Sequence, residues 1–179
     1  LLLTAYVWIY DAFFWTVGPL MTEYFSSTNL GGLFLVVYTL PTLILGLFVG
    51  KINKMFGKKV TAQIACMLSS FLLCTFYFIN DPSIILITVF FASCSMAFAL
   101  PSLNATYSDF VSESNYEKQI QALQDFFTNI GYVIGPIFAG ILSDMVGNTK
   151  SFGLLGVSGI LIVIISIFIT PKHITIKVK

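Results

Sequence analysis

Gly50-Lys51-Ile52-Asn53-Lys54-Met55-Phe56-Gly57-Lys58-Lys59 separates two long apolar runs and carries four of the chain's nine lysines. Upstream, no charged residue occurs back to Tyr24. Downstream, none occurs as far as Asn80. A short basic turn between two such runs reports membrane sidedness, because Lys and Arg are retained on the cytoplasmic side during insertion. The stretch therefore predicts a cytoplasmic loop, and the topology of the remaining chain follows from it.

Composition agrees. Hydrophobic residues make up 57% of the 179 residues and charged residues 9%, against about a quarter charged in soluble domains. There is no Arg, so a basic patch for nucleic acid is excluded. Cys66, Cys74 and Cys94 all lie in apolar runs and read as small buried hydrophobes, not as a disulfide framework. His173 is the only histidine, which leaves a Cys/His metal site nothing to build on. Neither a metal nor a cofactor is expected. The first segment has no basic n-region and no small-residue cleavage site, so it does not read as a signal peptide. With Leu1 in first place, an upstream part of the gene product is expected.

A bilayer core about 30 Å thick requires about 20 apolar residues in a helix. Six stretches reach that length: 1–21, 33–50, 60–79, 84–105, 119–143 and 151–170, the last closed by Pro171. Asn80-Asp81-Pro82-Ser83 is a turn, since Asn and Asp bond their own backbone and Pro presets the bend. Only 106–118 forms a long polar connection. The expected fold class is an all-α membrane protein, one six-helix transmembrane bundle over 1–179. Six spans put both ends on the cytoplasmic side. Lys51, Lys54, Lys58, Lys59, Lys118, Lys172, Lys177 and Lys179 are then inside, and only Lys150 is outside.

The spans differ in polarity. The third and sixth are bland enough to face lipid. The fourth carries Thr88, Ser95 and Ser102 at seven-residue spacing, and the fifth carries Gln121, Asp125, Thr128 and Tyr132, each set on one helix face. Such stripes face a cavity or a neighbouring helix, because lipid cannot satisfy them. For the hydroxyl stripe, bonding to helices or to its own backbone ranks level with a substrate role. Gly131, Gly135, Ala139 and Ser143 recur every four residues, and Gly46 and Gly50 form a second pair, a spacing that lets helix backbones approach. Pro136 predicts a bend in the fifth span.

Asp11 is the leading site candidate. It lies about 15 Å into its span at the helical rise, close to the midplane. An acid there costs about 2.5–3.5 kcal/mol on insertion scales and faces a cavity or a partner by default. No Lys or Arg lies within the six spans to pair with it. Burial disfavours the charged form of a carboxyl, so an acid in this position is suited to carrying a proton in exchange for substrate. Trp8 and Trp15, at i−3 and i+4, share its side of the helix. Asp125 sits near the cytoplasmic end of its span, where solvation is easy, and reads as solvated.

Two motifs carry a resemblance to the major facilitator superfamily, and it covers nearly the whole chain. Gly50, Gly57, Lys58 and Lys59 match that family's motif A in spacing, with Phe56 in the usual aromatic slot. Lys54 stands where the motif has an acid, and Met55 where it has its first basic residue. In the family this loop latches the cytoplasmic gate. The fifth span resembles the antiporter motif C, reading Ala122, Gly131, Gly135-Pro136 and Ala139-Gly140 at the family spacing, two glycines replaced by alanine. The resemblance implies a secondary transporter of a small molecule, a proton-coupled antiporter effecting multidrug-type efflux, in the plasma (inner) membrane. Its partners are the lipid bilayer, the substrate, protons and a second six-helix half. The degenerate motif A and the fourth span without Arg point to helices seven to twelve. Motif C belongs to the fifth helix of the first half, so the reverse assignment stays open. The first, fourth and fifth spans would line the cavity, with Trp8, Asp11, Trp15, Thr88, Ser95, Ser102, Gln121, Thr128 and Tyr132 as lining candidates. A free-standing six-helix module that pairs with itself or a partner is the alternative. No nucleophile, base or metal set suggests an enzyme.

Overall fold

The computed structural model describes residues 1–25, 32–112 and 115–169. The tail with Lys172, His173, Lys177 and Lys179, and the close of the sixth span at Pro171, lie outside the described residues. Among the described residues all regular structure is helical. α1 is Leu2–Tyr24, α2 Leu33–Leu45, α3 Val49–Phe56, α4 Lys58–Cys74, α5 Pro82–Met96, α6 Ala99–Ser112, α7 Glu117–Val146 and α8 Asn148–Ile169.

Short turns join several of these into longer rods. Leu33–Phe56, Lys58–Tyr77, Pro82–Ser112, Glu117–Val146 and Asn148–Ile169 are each long and apolar enough to cross a membrane. α1 has the length, 23 residues, but Thr4, Asp11, Thr16 and Glu23 leave it less apolar than those five. The rods outrun the apolar runs because lysine, asparagine and serine continue a helix where no breaker stops them. The basic stretch at 50–59 is therefore not an open loop. It is helix on both sides of Gly57, the one residue that leaves helical geometry, with φ 86° and ψ 142°. The polar connection expected from 106 is likewise helical to Ser112. Pro101 explains the break between α5 and α6: it cannot donate to Ala97, four residues earlier, and its ring crowds that carbonyl. The chain turns there, at Ala97 and Phe98. Pro136, by contrast, lies inside an α7 that is helical throughout.

The Gly147 turn between α7 and α8 repeats the Gly57 turn, with φ 86° and ψ 160°. Met55-Phe56-Gly57 and Met145-Val146-Gly147 thus occupy matching places at the end of the second and fifth rods. Weak internal symmetry of this kind is a mark of transporter folds built from structural repeats.

α1 lies along α7 and also meets α8 and α2, while α4 packs on α8, α5 and α6. Lipid tails are as apolar as leucine, so close fit and hydrogen bonds, not hydrophobicity, hold such helices together. The fit is tight at two glycine stripes. On α7, a Cβ at Gly135 would come within 2.6 Å of the Ala12 Cβ, and one at Gly131 within 2.8 Å of the Ala5 carbonyl. On α8, a Cβ at Gly156 would meet the Ser70 carbonyl and the Cys74 nitrogen of α4 at 2.5 and 2.8 Å. The bland sixth span thus buries one face, Phe152, Gly153, Leu155, Gly156, Gly159 and Val163, and leaves the other to lipid. Gly140 is open, and so are Gly46 and Gly50: a Cβ at any of the three meets nothing within 4 Å. None of these three brings helices together within this chain.

At the end opposite the Gly57 junction, Phe152 gathers an aromatic core. Its ring centroid lies 4.7 Å from Phe14, 5.1 Å from Phe13, 5.4 Å from Phe76 and 5.7 Å from Phe34. Every one of these rings is fully buried.

Candidate functional site

The site begins with α1, whose two sides differ. Tyr6, Tyr10, Phe13, Phe14 and Val17 are buried, while Trp8, Asp11 and Trp15 form a strip along the less buried side. The buried tyrosines are tied down by hydroxyl pairs with α4. Tyr6 pairs with Ser70 at 2.7 Å, and the Ser69 hydroxyl donates to the Tyr10 oxygen at 2.9 Å. Thr4 and Tyr107 of α6 are 3.1 Å apart. These bonds fix the rotation of α1 and so fix which way Asp11 points.

Asp11 has a specific partner. The Tyr38 hydroxyl of α2 donates to its Oδ1 at 2.5 Å. Tyr38 is buried and its ring stacks on Phe14, with centroids 4.2 Å apart and planes 8° from parallel. The donor is therefore held in place by packing and does not swing freely. Bonds to ionised groups are worth about 1.5–3 kcal/mol, so a fixed donor can hold a carboxylate where water is scarce. Trp15, 51% exposed, meets the Tyr38 ring edge-on at 6.5 Å. Trp8 packs on Tyr132 of α7, ring centroids 4.6 Å apart, and Tyr132 is itself within electrostatic reach of Asp11. The result is a half-buried carboxyl fringed by two tryptophans and two tyrosines, contributed by α1, α2 and α7.

The other expected residues take different places. The Thr88 hydroxyl donates to the Ile84 carbonyl at 2.8 Å and that of Ser95 to the Phe91 carbonyl at 3.1 Å, both within their own helix. Ser102 donates to Asn53 Oδ1 at 2.8 Å. The hydroxyl stripe is thus engaged in backbone and interhelical bonds, and none of these bonds reaches Asp11. On α7, Gln121 and Asp125 are exposed and Thr128 is half-buried. Among the described residues, no group of three or more His, Cys, Asp or Glu is placed to hold a metal ion.

At the basic end, Lys58 closes a second polar constellation. Its ammonium donates to both carboxylate oxygens of Asp109, at 2.6 and 2.7 Å, and to the Ala105 carbonyl at 3.3 Å. Together with Ser102 and Asn53, this ties the Gly57 junction to α6. Lys58, a motif A position, thus pairs with an acid on another helix, Asp109 of α6.

A family model of the Major Facilitator Superfamily matches residues 1–178. The chain belongs to the major facilitator superfamily. No curated protein and no solved structure matches it. Family membership and the apolar rods together make it a multi-pass integral membrane protein of a transporter family. In that setting lipid and a small-molecule substrate are its natural contacts.

The sequence reading missed Tyr38 and the tyrosine–serine pairs. A signal was present: Tyr38 is the only phenol in the second span, 33–50, and Tyr6 and Tyr10 stand four apart on one face of α1.

Proposed function

We propose that the chain is one six-helix half of a major facilitator that exports a small molecule in exchange for protons, with Asp11 as the proton-carrying acid. The carrying observation is the Asp11 carboxyl, bonded by a packed tyrosine and set on a strip of α1 that the other helices of this chain leave partly uncovered. In this reading α1 is a span beside the five other rods and 1–179 is a single bundle, the second half of the transporter. A second half would cover the strip and close the substrate path at the midplane. Trp8, Trp15 and Tyr132 would then offer flat apolar faces to an amphipathic substrate with little demand on geometry. The Lys58–Asp109 pair would hold the cytoplasmic gate at the plasma membrane, both ends of the bundle lying inside.

The test is transport by the complete protein in liposomes. Asp11→Asn keeps size and hydrogen bonding but cannot release a proton. It should abolish flux driven by a pH gradient while substrate exchange without a gradient persists. Wild-type coupling in Asp11→Asn at equal incorporation would remove Asp11 from the mechanism.

A further inference from the structure

The polar groups along α1 fall into two zones with one aromatic pair between them. Toward the Lys58–Asp109 end, the Thr4 and Tyr107 hydroxyls pair at 3.1 Å, and Gln124 of α7 donates to Asn104 of α6 at 3.0 Å. Tyr107 is two residues from Asp109, so this zone adjoins the basic junction. Asp11 and Tyr38 form the other zone. Trp8 stands between them, four residues from Thr4 and three from Asp11, or about 6 and 4.5 Å along the helix. Its ring packs across the α1–α7 contact on Tyr132, centroids 4.6 Å apart. Polar side chains within a membrane mark what a partner or water reaches. The ring pair interrupts that polar line.

The two rings are held differently. A Cβ at Gly131 would collide with the Trp8 Cβ and the Ala5 carbonyl, so the root of the Trp8 side chain is fixed against the α7 backbone. Tyr132, next in sequence to Gly131, is exposed on its other side. A change of its χ1 rotamer would lift the ring off Trp8 without moving either helix. On the far side of Asp11, Trp15 meets the Tyr38 ring only edge-on at 6.5 Å, so the two approaches to the carboxyl are covered unequally. We propose that the Trp8–Tyr132 pair is the cytoplasmic gate of the Asp11 site, with Tyr132 as its moving part. Stacked, the rings separate the carboxyl from the polar zone at the basic end. Unstacked, they join the two zones into one path for proton and substrate. The inference rests on Asp11 being the transport site and on the basic end being cytoplasmic.

The test uses the complete transporter, free of native cysteines and carrying Asp11→Cys, in sealed vesicles of each orientation. A membrane-impermeant thiol reagent then reports how fast position 11 is reached from each face. Tyr132→Ala should raise the rate from the cytoplasmic face roughly two- to tenfold, the worth of one ring pair, and should not raise it from the outer face. Tyr132→Phe keeps the ring and should leave both rates unchanged. If Tyr132→Ala does not fold, Trp8→Ala gives the same readout. Labelling needs no proton to be carried, so its outcome is separate from that of Asp11→Asn in transport. An unchanged cytoplasmic rate in Tyr132→Ala, an equal rise from the outer face, or an equal rise in Tyr132→Phe would overturn the proposal.

Discussion

Tyr38 does two separable things: its ring stacks on Phe14, and its hydroxyl bonds Asp11. Tyr38→Phe removes only the second. A bond to a charged group is worth about 1.5–3 kcal/mol, so gradient-driven flux should fall about tenfold or more while the melting temperature moves little. Tyr38→Ala also opens a cavity at Phe14, and losses of this size in cores run to about 3–5 kcal/mol, so it should lower both. Equal flux in wild type and Tyr38→Phe would mean that the hydroxyl serves packing alone. Asp11 was legible in the sequence because an acid in an apolar run is costly and stands out. Its partner was not, because a tyrosine in an apolar run is compatible with lipid, interface and core alike. Thr88 and Ser95 take one of the two roles open to a polar stripe at helical spacing: their hydroxyls bond the carbonyl one turn back.

At the level of helices, the family-like glycines divide into three kinds by what surrounds them. Gly57 and Gly147 hold backbone angles that side chains rarely adopt, and such strain costs about 1–3 kcal/mol for other residues. Gly57→Ala and Gly147→Ala should each destabilise by that amount. Gly131 and Gly135 are helical but jammed against α1. Gly135→Leu should force α1 and α7 apart and lose more stability than either turn variant, as overpacking costs about 1–3 kcal/mol even where side chains, not backbones, must yield. Gly46 is helical and open, so Gly46→Ala should be neutral or gain up to about 1 kcal/mol from helix propensity. Thermal unfolding in detergent ranks the variants, and a destabilised Gly46→Ala beside a tolerant Gly135→Leu would refute this assignment. Spacing alone could not sort them, since Gly46-x-x-x-Gly50 and Gly131-x-x-x-Gly135 read alike. Which one meets another helix is a tertiary fact. Five of the expected spans fall on rods long and apolar enough to cross a membrane, and 106–112, expected as a polar connection, continues one of them as helix. At 50–59, too, lysines made a helix–glycine–helix junction look like a loop. The exposed Lys58–Asp109 pair is worth at most about 1 kcal/mol, so its double-mutant coupling should be small in stability and visible only in transport rate.

At the level of the whole molecule, two positions report sidedness directly. Met55 and Met145, 67% and 73% exposed, flank the two matching glycine turns. Three rods, Lys58–Tyr77, Pro82–Ser112 and Glu117–Val146, lie between the two turns, and in the proposed topology an odd number of crossings puts the turns at opposite ends of the bundle. Met55→Cys and Met145→Cys, in a version lacking the three native cysteines, should label from opposite faces of sealed vesicles. Labelling of both from one face would sink the six-span arrangement.

A last prediction follows from what the bundle leaves uncovered. α7 buries only Gly131, Gly135, Ala139 and Leu142, and Trp15, Tyr132, Gln121 and Asp125 lie exposed. Apolar exposure is harmless in lipid, but a bonded carboxyl and a polar stripe are not, because hydrocarbon offers them no partner. A chain of this kind should therefore seek cover. Reconstituted on its own, 1–179 should give no saturable flux and should self-associate. Supplying the complementary six-helix half as a separate chain should restore flux and reduce self-association together, because the same surface serves both contacts. Saturable flux from a verified monomer would show that one bundle suffices and that the substrate path lies within it. The strip of Trp8, Asp11 and Trp15 would then need a different account, with access from the bilayer and not from a second half.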